Sequence, residues 1–312
     1  MSNKRVRADL ALLSCAIVWG ATFVILKDAL ADVSVFVYVA LRFVLSAVVM
    51  GVIFWRSMRN VSLRAIWAGA QIGFFMFGGY AFQTTGLKFT TPSKAAFITG
   101  SAVVIVPVIL AIFGVWRVTS WIWAGVAAAL AGLYLLTVPR QGLGALNWGD
   151  PIVFVGAVMF ALHIIFVGRY VEHHSVGALS FIQVATTGAL ATFFVPVLGA
   201  LHWEMPHWVW TRTLVLAVLA TSLGSTVMGF SFQVWAQQYT SPTHTAILIS
   251  LEPVFAALTS FLVGREHLGG RILVGAALIF AGILLAELKG PTPTAPESPE
   301  PVVEGTNEPF GS

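Results

Sequence analysis

Three ionisable side chains interrupt apolar stretches of this sequence: Arg42, His163 and Glu252. Groups of this kind are unfavourable in hydrocarbon and therefore normally face the interior of a helical bundle. The planar guanidinium of Arg42 suits a carboxylate, whereas the carboxylate of Glu252 suits an ammonium group or a proton. Such a pair predicts a site that holds the two charged ends of a small zwitterion. The structural alternative is that the two charges only neutralise each other.

The positions of these residues along their stretches place them at similar depths. Arg42 lies nine residues into its stretch and His163 eleven residues into its own, roughly 13 Å and roughly 17 Å below the outer face. Glu252 lies seven residues into its stretch, roughly 11 to 14 Å above the inner face. Because the hydrocarbon core is about 30 Å thick, we expect the three side chains to meet near its middle. For His163 the alternative is a core histidine with satisfied hydrogen bonds.

The composition indicates that these stretches cross a membrane. Of the 312 residues, 58% are hydrophobic and 10% are charged, unlike any water-soluble domain. Helices of roughly 17 to 25 apolar residues can span the bilayer because they satisfy their backbone hydrogen bonds internally. We find ten such stretches: 10–26, 33–55, 65–85, 95–116, 118–138, 152–167, 176–201, 214–235, 245–263 and 272–286. The sequence therefore predicts an all-α polytopic membrane protein with ten transmembrane helices in a lipid bilayer.

Part of the sequence occurs twice. The segment FQTTGLKFTTPSKAAFI (82–98) resembles FQVWAQQYTSPTHTAIL (232–248), which follows 150 residues later. The positions paired by this shift include Gln83 and Gln233, Pro92 and Pro242, Gly125 and Gly275, and Gly132 and Gly282. A shift of 141 residues relates the earlier helices, as for Asp9 and Asp150. Chance apolar similarity does not explain the paired polar residues, so we infer a duplication.

The duplication predicts an inverted repeat. We assign 1–140 and 148–288 as five-helix units and 289–312 as a disordered cytoplasmic tail rich in proline and glutamate. A unit with an odd number of helices ends on the opposite face from its start, so the second unit enters the membrane upside down. Two such halves have two near-equivalent packings, one open to each side, which predicts transport by alternating access. A scaffold or a channel is the alternative.

Aromatic residues and prolines are further candidates for the substrate site. Trp19 and Phe23 lie one helical turn apart and predict an aromatic wall, although such pairs are more often packing. Pro107 and Pro253 lie inside predicted helices. A proline there removes a backbone hydrogen bond, so each is predicted to break its helix and leave a carbonyl free to face a cavity.

Polar residues near the starts of the fourth and ninth predicted helices are candidates for gates. Lys94 and His244 occupy equivalent positions after Thr-Pro and Ser-Pro and are predicted to lie at the rim of the site. Gln83 and Gln233 are also equivalent, and we assign them to the same group.

The net charge of +4 has a membrane explanation, so we predict no nucleic-acid partner. Lysine and arginine concentrate in loops and chain ends, where the positive-inside rule acts. With a cytoplasmic N-terminus, ten helices leave nine basic residues on the cytoplasmic side and seven on the other. The N-terminal tail and the cluster Arg56, Arg59 and Arg64 both favour this orientation. Both termini are therefore predicted to be cytoplasmic.

One known family has a similar sequence. The segment TSPTHTAILISLEPVFAALTSFLVGREHLGGRILVGAALIFAGILLAEL (240–288) resembles the C-terminal half of the EamA family in the drug/metabolite transporter superfamily. The segments TTPSKAAFITG and ALRFVLSA, which contains Arg42, resemble its first half. The resemblance implies a ten-helix carrier of the bacterial inner membrane with inverted five-helix repeats. It also implies an exporter of amino acids or other small metabolites.

Two other functions compete with this secondary-active carrier. A membrane-embedded lipid-modifying enzyme would need clustered catalytic residues, yet the sequence has no HExxH motif, aspartate-rich motif or glycine-rich phosphate loop. A channel-like passive facilitator is harder to distinguish from sequence. We expect no catalysis, no cofactor and no metal, and protons are the candidate coupling ion because Glu252 can load one.

Overall fold

A computed structural model describes residues 3–87, 89–90, 92–113, 119–138, 140–142, 144, 147–264 and 269–289. Apart from Lys289, the predicted disordered tail lies outside the described residues. The secondary structure of the described residues is helical, and the one extended pairing among them is an isolated bridge between Val33 and Trp208.

The described part of the first half forms seven helices. They are α1 (Asn3–Ala29), α2 (Val35–Ile53), the short α3 (Trp55–Met58), α4 (Leu63–Leu87), α5 (Pro92–Gly100), α6 (Ala102–Ile112) and α7 (Ser120–Thr137). The second half continues with α8 (Gly149–Val171), α9 (Val176–Ala200), α10 (Arg212–Ala220), a π-helix (Thr221–Met228), α11 (Gly229–Ala236), α12 (Pro242–Ile249), α13 (Glu252–Leu262) and α14 (Gly270–Lys289). Helices are expected here because hydrocarbon offers no partner for an unsatisfied backbone group.

Eight segments of the described chain are long and apolar enough to cross a membrane. They are Val35–Ile53, Leu63–Gly86, Ala95–Ile112, Ser120–Thr137, Gly149–Val171, Val176–Ala200, Arg212–Ala236 and Pro242–Leu262. The helix α1 is not among them, and the apolar part of α14, Gly270–Leu285, is shorter. The protein is therefore a multi-pass membrane protein, while the count of ten spans stays a prediction.

The fourth and ninth predicted spans are each broken into two helices. The first break falls at Ser101, between α5 and α6, and the second at Ser250 and Leu251, between α12 and α13. At each break a serine hydroxyl donates to a carbonyl three residues earlier: Ser101 to Ile98 at 2.5 Å and Ser250 to Ile247 at 2.6 Å. Serine competes in this way with regular helical bonding.

The prolines explain these breaks only in part. The expectation that Pro107 breaks its helix is wrong, because Pro107 is buried within the continuous helix α6 and the break falls at Ser101. Pro253 lies in the first turn of α13, directly after the second break. A proline is tolerated there because the first N–H groups of a helix have no partner within it.

The π-helix interrupts the eighth predicted span. It contains four buried hydroxyl residues, Thr221, Ser222, Ser225 and Thr226, within six positions. The equivalent segment of the first half, residues 71–78, belongs to the regular helix α4. Short π-helical segments often mark functional sites.

The helices of the two halves pack against one another around a polar interior. The helix α1 contacts α10, the π-helix, α11, α12 and α13, while α2 contacts α9 and the π-helix. The helix α4 contacts α8 and α9, and α7 contacts α14. These contacts place Arg42 of α2 opposite the hydroxyl groups of the π-helix.

Candidate functional site

A cavity of about 160 Å³ lies between the two halves of the chain. Six of the predicted site residues line it: Trp19, Arg42, Gln83, His163, Gln233 and Glu252. It is also lined by residues that the sequence did not single out: Thr22, Tyr80, Thr99, Ala102, Phe160, Ile164, Thr221, Ser225, Phe230 and Ile249. The volume is below the roughly 300 to 1,000 Å³ of drug-sized ligand sites.

Hydroxyl groups hold the guanidinium of Arg42. Its Nε donates to Oγ1 of Thr226 at 2.7 Å, and its Nη2 donates to Oγ of Ser225 at 2.9 Å and to the Tyr80 hydroxyl at 3.2 Å. The guanidinium carbon also lies 5.1 Å and 5.2 Å from the ring centres of Tyr80 and Phe43. Arg42 is 4% exposed, so this hydroxyl and aromatic cradle replaces water around a buried cation.

The same cradle leaves one end of the guanidinium unused. All the protein acceptors of Arg42 are neutral hydroxyls, and among the described residues Nη1 has no hydrogen-bond partner. No carboxylate of a described residue forms an ion pair with Arg42. A buried arginine that is fixed in orientation but lacks an anion is suited to bind one.

Glu252 supplies the negative charge of the cavity. It is the first residue of α13, where the helix dipole favours a carboxylate. The helix α1 crosses at this point because Gly20 has no side chain: a Cβ there would lie 2.6 Å from the Glu252 carbonyl oxygen. Within the described part of the chain, the Glu252 carboxylate forms no hydrogen bond or ion pair.

Arg42 and Glu252 thus line one cavity without pairing with each other. An ion pair requires a nitrogen and an oxygen within 4.0 Å, and the described residues contain none between these two side chains. Mutual neutralisation by direct contact, the structural alternative, does not describe this arrangement. The cavity instead offers a cation and an anion at separate places on its wall.

His163 has a protein partner on one side. Its Nε2 donates to Oε1 of the buried Gln183 at 2.9 Å, because a carbonyl oxygen can only accept. Its ring meets Phe230 edge-on, with centroids 5.7 Å apart. These contacts agree with a core histidine whose hydrogen bond is satisfied, although its ring also borders the cavity.

The aromatic wall is formed by Trp19 with a partner other than the predicted one. The Trp19 ring lies 5.2 Å from that of Phe230, and its Nε1 donates to the Ser225 carbonyl at 2.7 Å. A π-helix shifts its backbone bonding, so such a carbonyl can accept a side-chain donor. The side chain of Phe23, the predicted partner, lies outside the described part of the structure.

The two predicted glutamines line the cavity rather than its mouth. Gln83 donates from Nε2 to the Thr99 hydroxyl at 2.9 Å, and Gln233 donates to Oε1 of Gln237 at 3.2 Å. The buried Oε1 of Gln233 has no hydrogen-bond partner among the described residues. Gln233 therefore provides a free acceptor beside the cavity.

His244 lies away from the cavity, at the start of α12. Its Nε2 is 3.0 Å from Oδ1 of Asp9 on α1, and neither residue lines the cavity. At the equivalent place of the other half, Thr90 donates to Asp150 at 2.6 Å. The two contacts tie the first helix of each half to the other half, at the start of α12 in one case and at the loop before α5 in the other. The side chain of Lys94, predicted to act with His244, lies outside the described part of the structure.

The hydroxyl cluster of the π-helix was missed by reasoning from the sequence. The available signal was the pattern Thr-Ser-x-x-Ser-Thr within an apolar span, because four hydroxyls in six residues need internal partners in hydrocarbon.

As for metals, no cluster of three or more histidine, cysteine, aspartate or glutamate side chains suited to a metal ion occurs in the part of the chain that the structure describes.

Comparisons with known proteins give matches over most of the chain. The model of the EamA-like transporter family matches residues 6–138 and 147–288. A protein named uncharacterized transporter from Archaeoglobus fulgidus is 31% identical over 291 residues, covering 92% of this chain and 87% of its own. The uncharacterized transporter YoaV of Bacillus subtilis is 22% identical and covers 90% and 96%. A solved crystal structure, 20% identical, has a similar fold with a TM-score of 0.76, covering 90% of this chain and 96% of its own.

Proposed function

Because this chain belongs to the EamA-like transporter family, we propose that it is a secondary-active carrier that exports amino acids or other small metabolites by alternating access. The observation that carries the proposal is the separate placement of Arg42 and Glu252 on one cavity wall. The α-carboxylate of an amino acid would accept from Arg42, and its ammonium group would face Glu252. A molecule without charged groups would leave the charges of both Arg42 and Glu252 unsatisfied, which is unfavourable.

The lining of the cavity supports two inverted five-helix repeats. Positions 141 residues apart in the first helices both line it, as do positions 150 residues apart in the later ones. These pairs are Trp19 and Phe160, Thr22 and His163, Tyr80 and Phe230, Gln83 and Gln233, Thr99 and Ile249, and Ala102 and Glu252. Equivalent positions of two repeats surround one space when a pseudo-two-fold axis passes through it. The residues equivalent to Arg42 and Glu252 are the neutral Gln183 and Ala102, so the charges depart from the symmetry, as do Thr221 and Ser225 of the π-helix.

The contact between α7 and α14 supports the same relation. A Cβ on Gly282 would lie 2.5 Å from the Gly125 carbonyl oxygen, and a Cβ on Gly275 would lie 2.7 Å from that of Gly132. Gly275 and Gly282 are the 150-residue equivalents of Gly125 and Gly132. The contact is therefore reciprocal, as a two-fold axis between two equivalent helices requires. The small residues also allow the close approach that stabilises helix pairs in lipid.

The two broken helices would allow the cavity to open alternately to the two sides of the membrane. Both breaks, at Ser101 and at Ser250 with Leu251, fall at equivalent places in the two repeats. Each break lies next to a residue of the cavity wall: Ser101 is two residues after Thr99, and Ser250 directly follows Ile249. A break lets half a helix tilt while the other half stays packed, so each repeat could open one end of the cavity.

Counterflow through reconstituted vesicles tests the proposal. Proteoliposomes preloaded with unlabelled amino acids should accumulate external isotope-labelled amino acids above the equilibrium level, and the initial rate should saturate with concentration. A passive facilitator would equilibrate without accumulation, and empty liposomes set the background. Untargeted metabolite profiling of cells that overexpress the chain, inside and outside, would identify which solute to use. If no solute shows saturable counterflow, the carrier proposal fails.

We place both termini on the cytoplasmic side of a bacterial inner membrane. The basic cluster Arg56, Arg59 and Arg64 lies on the same side in this arrangement, in agreement with the positive-inside rule. Cysteine labelling from outside checks it: a cysteine in the connection 141–147 should react with an impermeant reagent, and cysteines at the two chain ends should not. Cys15 is buried and would be replaced by serine beforehand. Labelling of all three sites from one side would exclude five-helix inverted repeats.

A further inference from the structure

A second cavity lies on the outer surface of the bundle, between α2 and α9, and we propose that it binds one anionic phospholipid. This groove has a volume of about 790 Å³, and its walls are apolar. Trp55 lies at one end of the groove, and Gly51, Ala185 and Gly188 are small residues that line it. The other lining residues are Val44, Ala47, Val48, Val52, Phe181 and Ala189. The proposal is independent of the carrier function.

Small residues create the groove. Ala47 and Gly51 follow each other at a spacing of four on α2, and Ala185 and Ala189 do so on α9. In a helix pair such residues normally bring the backbones together. Here Phe181 fills only the end near Gly51, where its ring would lie 3.2 Å from an added Cβ. The remaining length is open, and Val48 and Val52 on its rim are 61% and 71% exposed.

The length of the groove fits one leaflet of a bilayer. From Val44 to its last residue, Ile53, the helix α2 advances nine residues, or roughly 14 Å, and Trp55 of α3 lies just beyond this end. Half of the hydrocarbon core is roughly 15 Å. The groove therefore reaches from a membrane surface to about the midplane. An acyl chain occupies this depth, whereas a helix of a second copy would need a surface that continues across both leaflets.

The end of the groove at Trp55 carries a cluster of positive charge. The segment 55–64 contains Arg56, Arg59 and Arg64, all exposed, and no acidic residue. The guanidinium carbons of Arg59 and Arg56 lie 5.1 Å and 5.9 Å from the ring centre of Trp55. No described carboxylate pairs with either of these two arginines.

This combination identifies the ligand as a lipid with a negatively charged headgroup. Tryptophan is favoured at the level of lipid headgroups, and arginines there attract phosphate. Phe54 and Ser57 pack over Gly177 at the start of α9, so the basic segment is fixed above the mouth of the groove. The acyl chain would lie between Val48 and Ala189, and the phosphate would contact Arg56 and Arg59.

Two kinds of variant separate the headgroup contact from the groove. The double variant Arg56→Ala/Arg59→Ala removes two positive charges that would contact the lipid phosphate at the membrane surface. This loss should lower the affinity about 30-fold. In Ala189→Phe an exposed alanine is replaced by a ring that fills the groove without entering the core. Val48→Phe, at a second exposed position, repeats the groove test if Ala189→Phe is unstable. Arg140→Ala/Arg212→Ala, at the other end of the bundle, is the matched control for charge.

Native mass spectrometry of the full-length protein in detergent measures the binding. We expect the wild type to retain palmitoyl-oleoyl phosphatidylglycerol in preference to the phosphatidylcholine with the same chains. The double variant Arg56→Ala/Arg59→Ala should bind phosphatidylglycerol about 30-fold more weakly and phosphatidylcholine unchanged. The groove variants should weaken both lipids, and the charge control should match the wild type. Size-exclusion profiles and melting temperatures close to those of the wild type verify folding.

Three results would overturn the proposal. The first is equal retention of both lipids by the wild type, which means no headgroup preference. The second is wild-type phosphatidylglycerol binding by Arg56→Ala/Arg59→Ala or by the groove variants. The third is a wild-type dimer that the groove variants dissociate while lipid binding stays unchanged, since the groove would then be an interface between two copies of this chain.

Discussion

Arg42→Ala will reduce saturable amino-acid counterflow at least about 30-fold, because removing one partner of a buried charged hydrogen-bond pair costs about 2 to 5 kcal/mol. The loss should appear mainly as weaker substrate binding, since the guanidinium would hold the carboxylate throughout the transport cycle. The hydroxyls of Thr226, Ser225 and Tyr80 would remain behind. Serine and threonine hydroxyls on helices can donate to their own backbone, and Tyr80 lines the cavity, so we expect the variant to stay folded.

Arg42→Lys distinguishes shape from charge at the same position. Lysine keeps the positive charge but replaces the planar fork by a point charge. It cannot reach Thr226, Ser225, Tyr80 and a substrate carboxylate together, so its counterflow should lie between those of the wild type and Arg42→Ala. Arg169→Ala removes an exposed arginine at the end of α8 and serves as the control. Wild-type counterflow in Arg42→Ala, with normal folding in detergent, would exclude Arg42 from the substrate site.

Glu252→Gln will abolish net transport driven by an imposed pH gradient. Among the described residues Glu252 is the only acidic one on the cavity wall, whereas the imidazole of His163 is already bonded to Gln183, so we assign proton loading to the Glu252 carboxylate. Glutamine keeps the size of the side chain but has neither the charge nor the titratable proton. The wild type should respond to the sign of the pH gradient, whereas net flux through Glu252→Gln should be the same with and without a gradient.

Exchange in the same vesicles tests the second role of Glu252. If the carboxylate also holds the substrate ammonium group, counterflow at equal pH on both sides should fall together with net transport, and we expect this result. Counterflow that persists would restrict Glu252 to proton coupling. Glu172→Gln makes the same chemical change at an exposed position at the end of α8 and should behave as the wild type. Normal pH-driven transport by Glu252→Gln would rule out both roles.

The charged residues of the cavity are distributed unevenly between the two halves of the chain. Its aromatic rings and its two glutamines come from equivalent positions of both halves, whereas the positions equivalent to Arg42 and Glu252 hold neutral residues, Gln183 and Ala102. In the carrier that we propose, two related halves with an asymmetric pair of charges would alternate between two states and bind a zwitterion in a single orientation.

The two helix breaks were predicted only in part from the positions of proline in the sequence. Proline was the signal used, because it lacks an N–H group and cannot continue a helix ladder. Pro253 does follow a break, but Pro107 lies inside a continuous helix. A serine lies at each break, Ser101 and Ser250, and its hydroxyl bonds to a backbone carbonyl three residues earlier. A serine hydroxyl can bond to its own helix or elsewhere, so its choice depends on neighbours that the sequence does not reveal.

The sequence by itself indicated that the helices lie in a lipid bilayer, which family the chain resembles, and that Arg42 and Glu252 lie at similar depths and can line one cavity. Long apolar stretches allow only helices in hydrocarbon, and a charge within them must face the interior, so depth along the helix was sufficient. The similarity to the EamA family, first recognised in residues 240–288, is confirmed over most of the chain. The membrane environment and the depth of the charges follow from length and composition, which are local properties, whereas the family was recognised from the resemblance of whole segments.

Only the tertiary structure decided how the charges are arranged. Thr221, Ser222, Ser225 and Thr226 look alike in a sequence, yet the π-helix directs two of them to Arg42 and leaves one end of its guanidinium without a partner. Whether Arg42 and Glu252 pair or stay apart depends on ångström-scale distances between helices that are 210 residues apart in the chain. Such distances are set by the packing of small residues and backbone across many contacts, which no local pattern specifies.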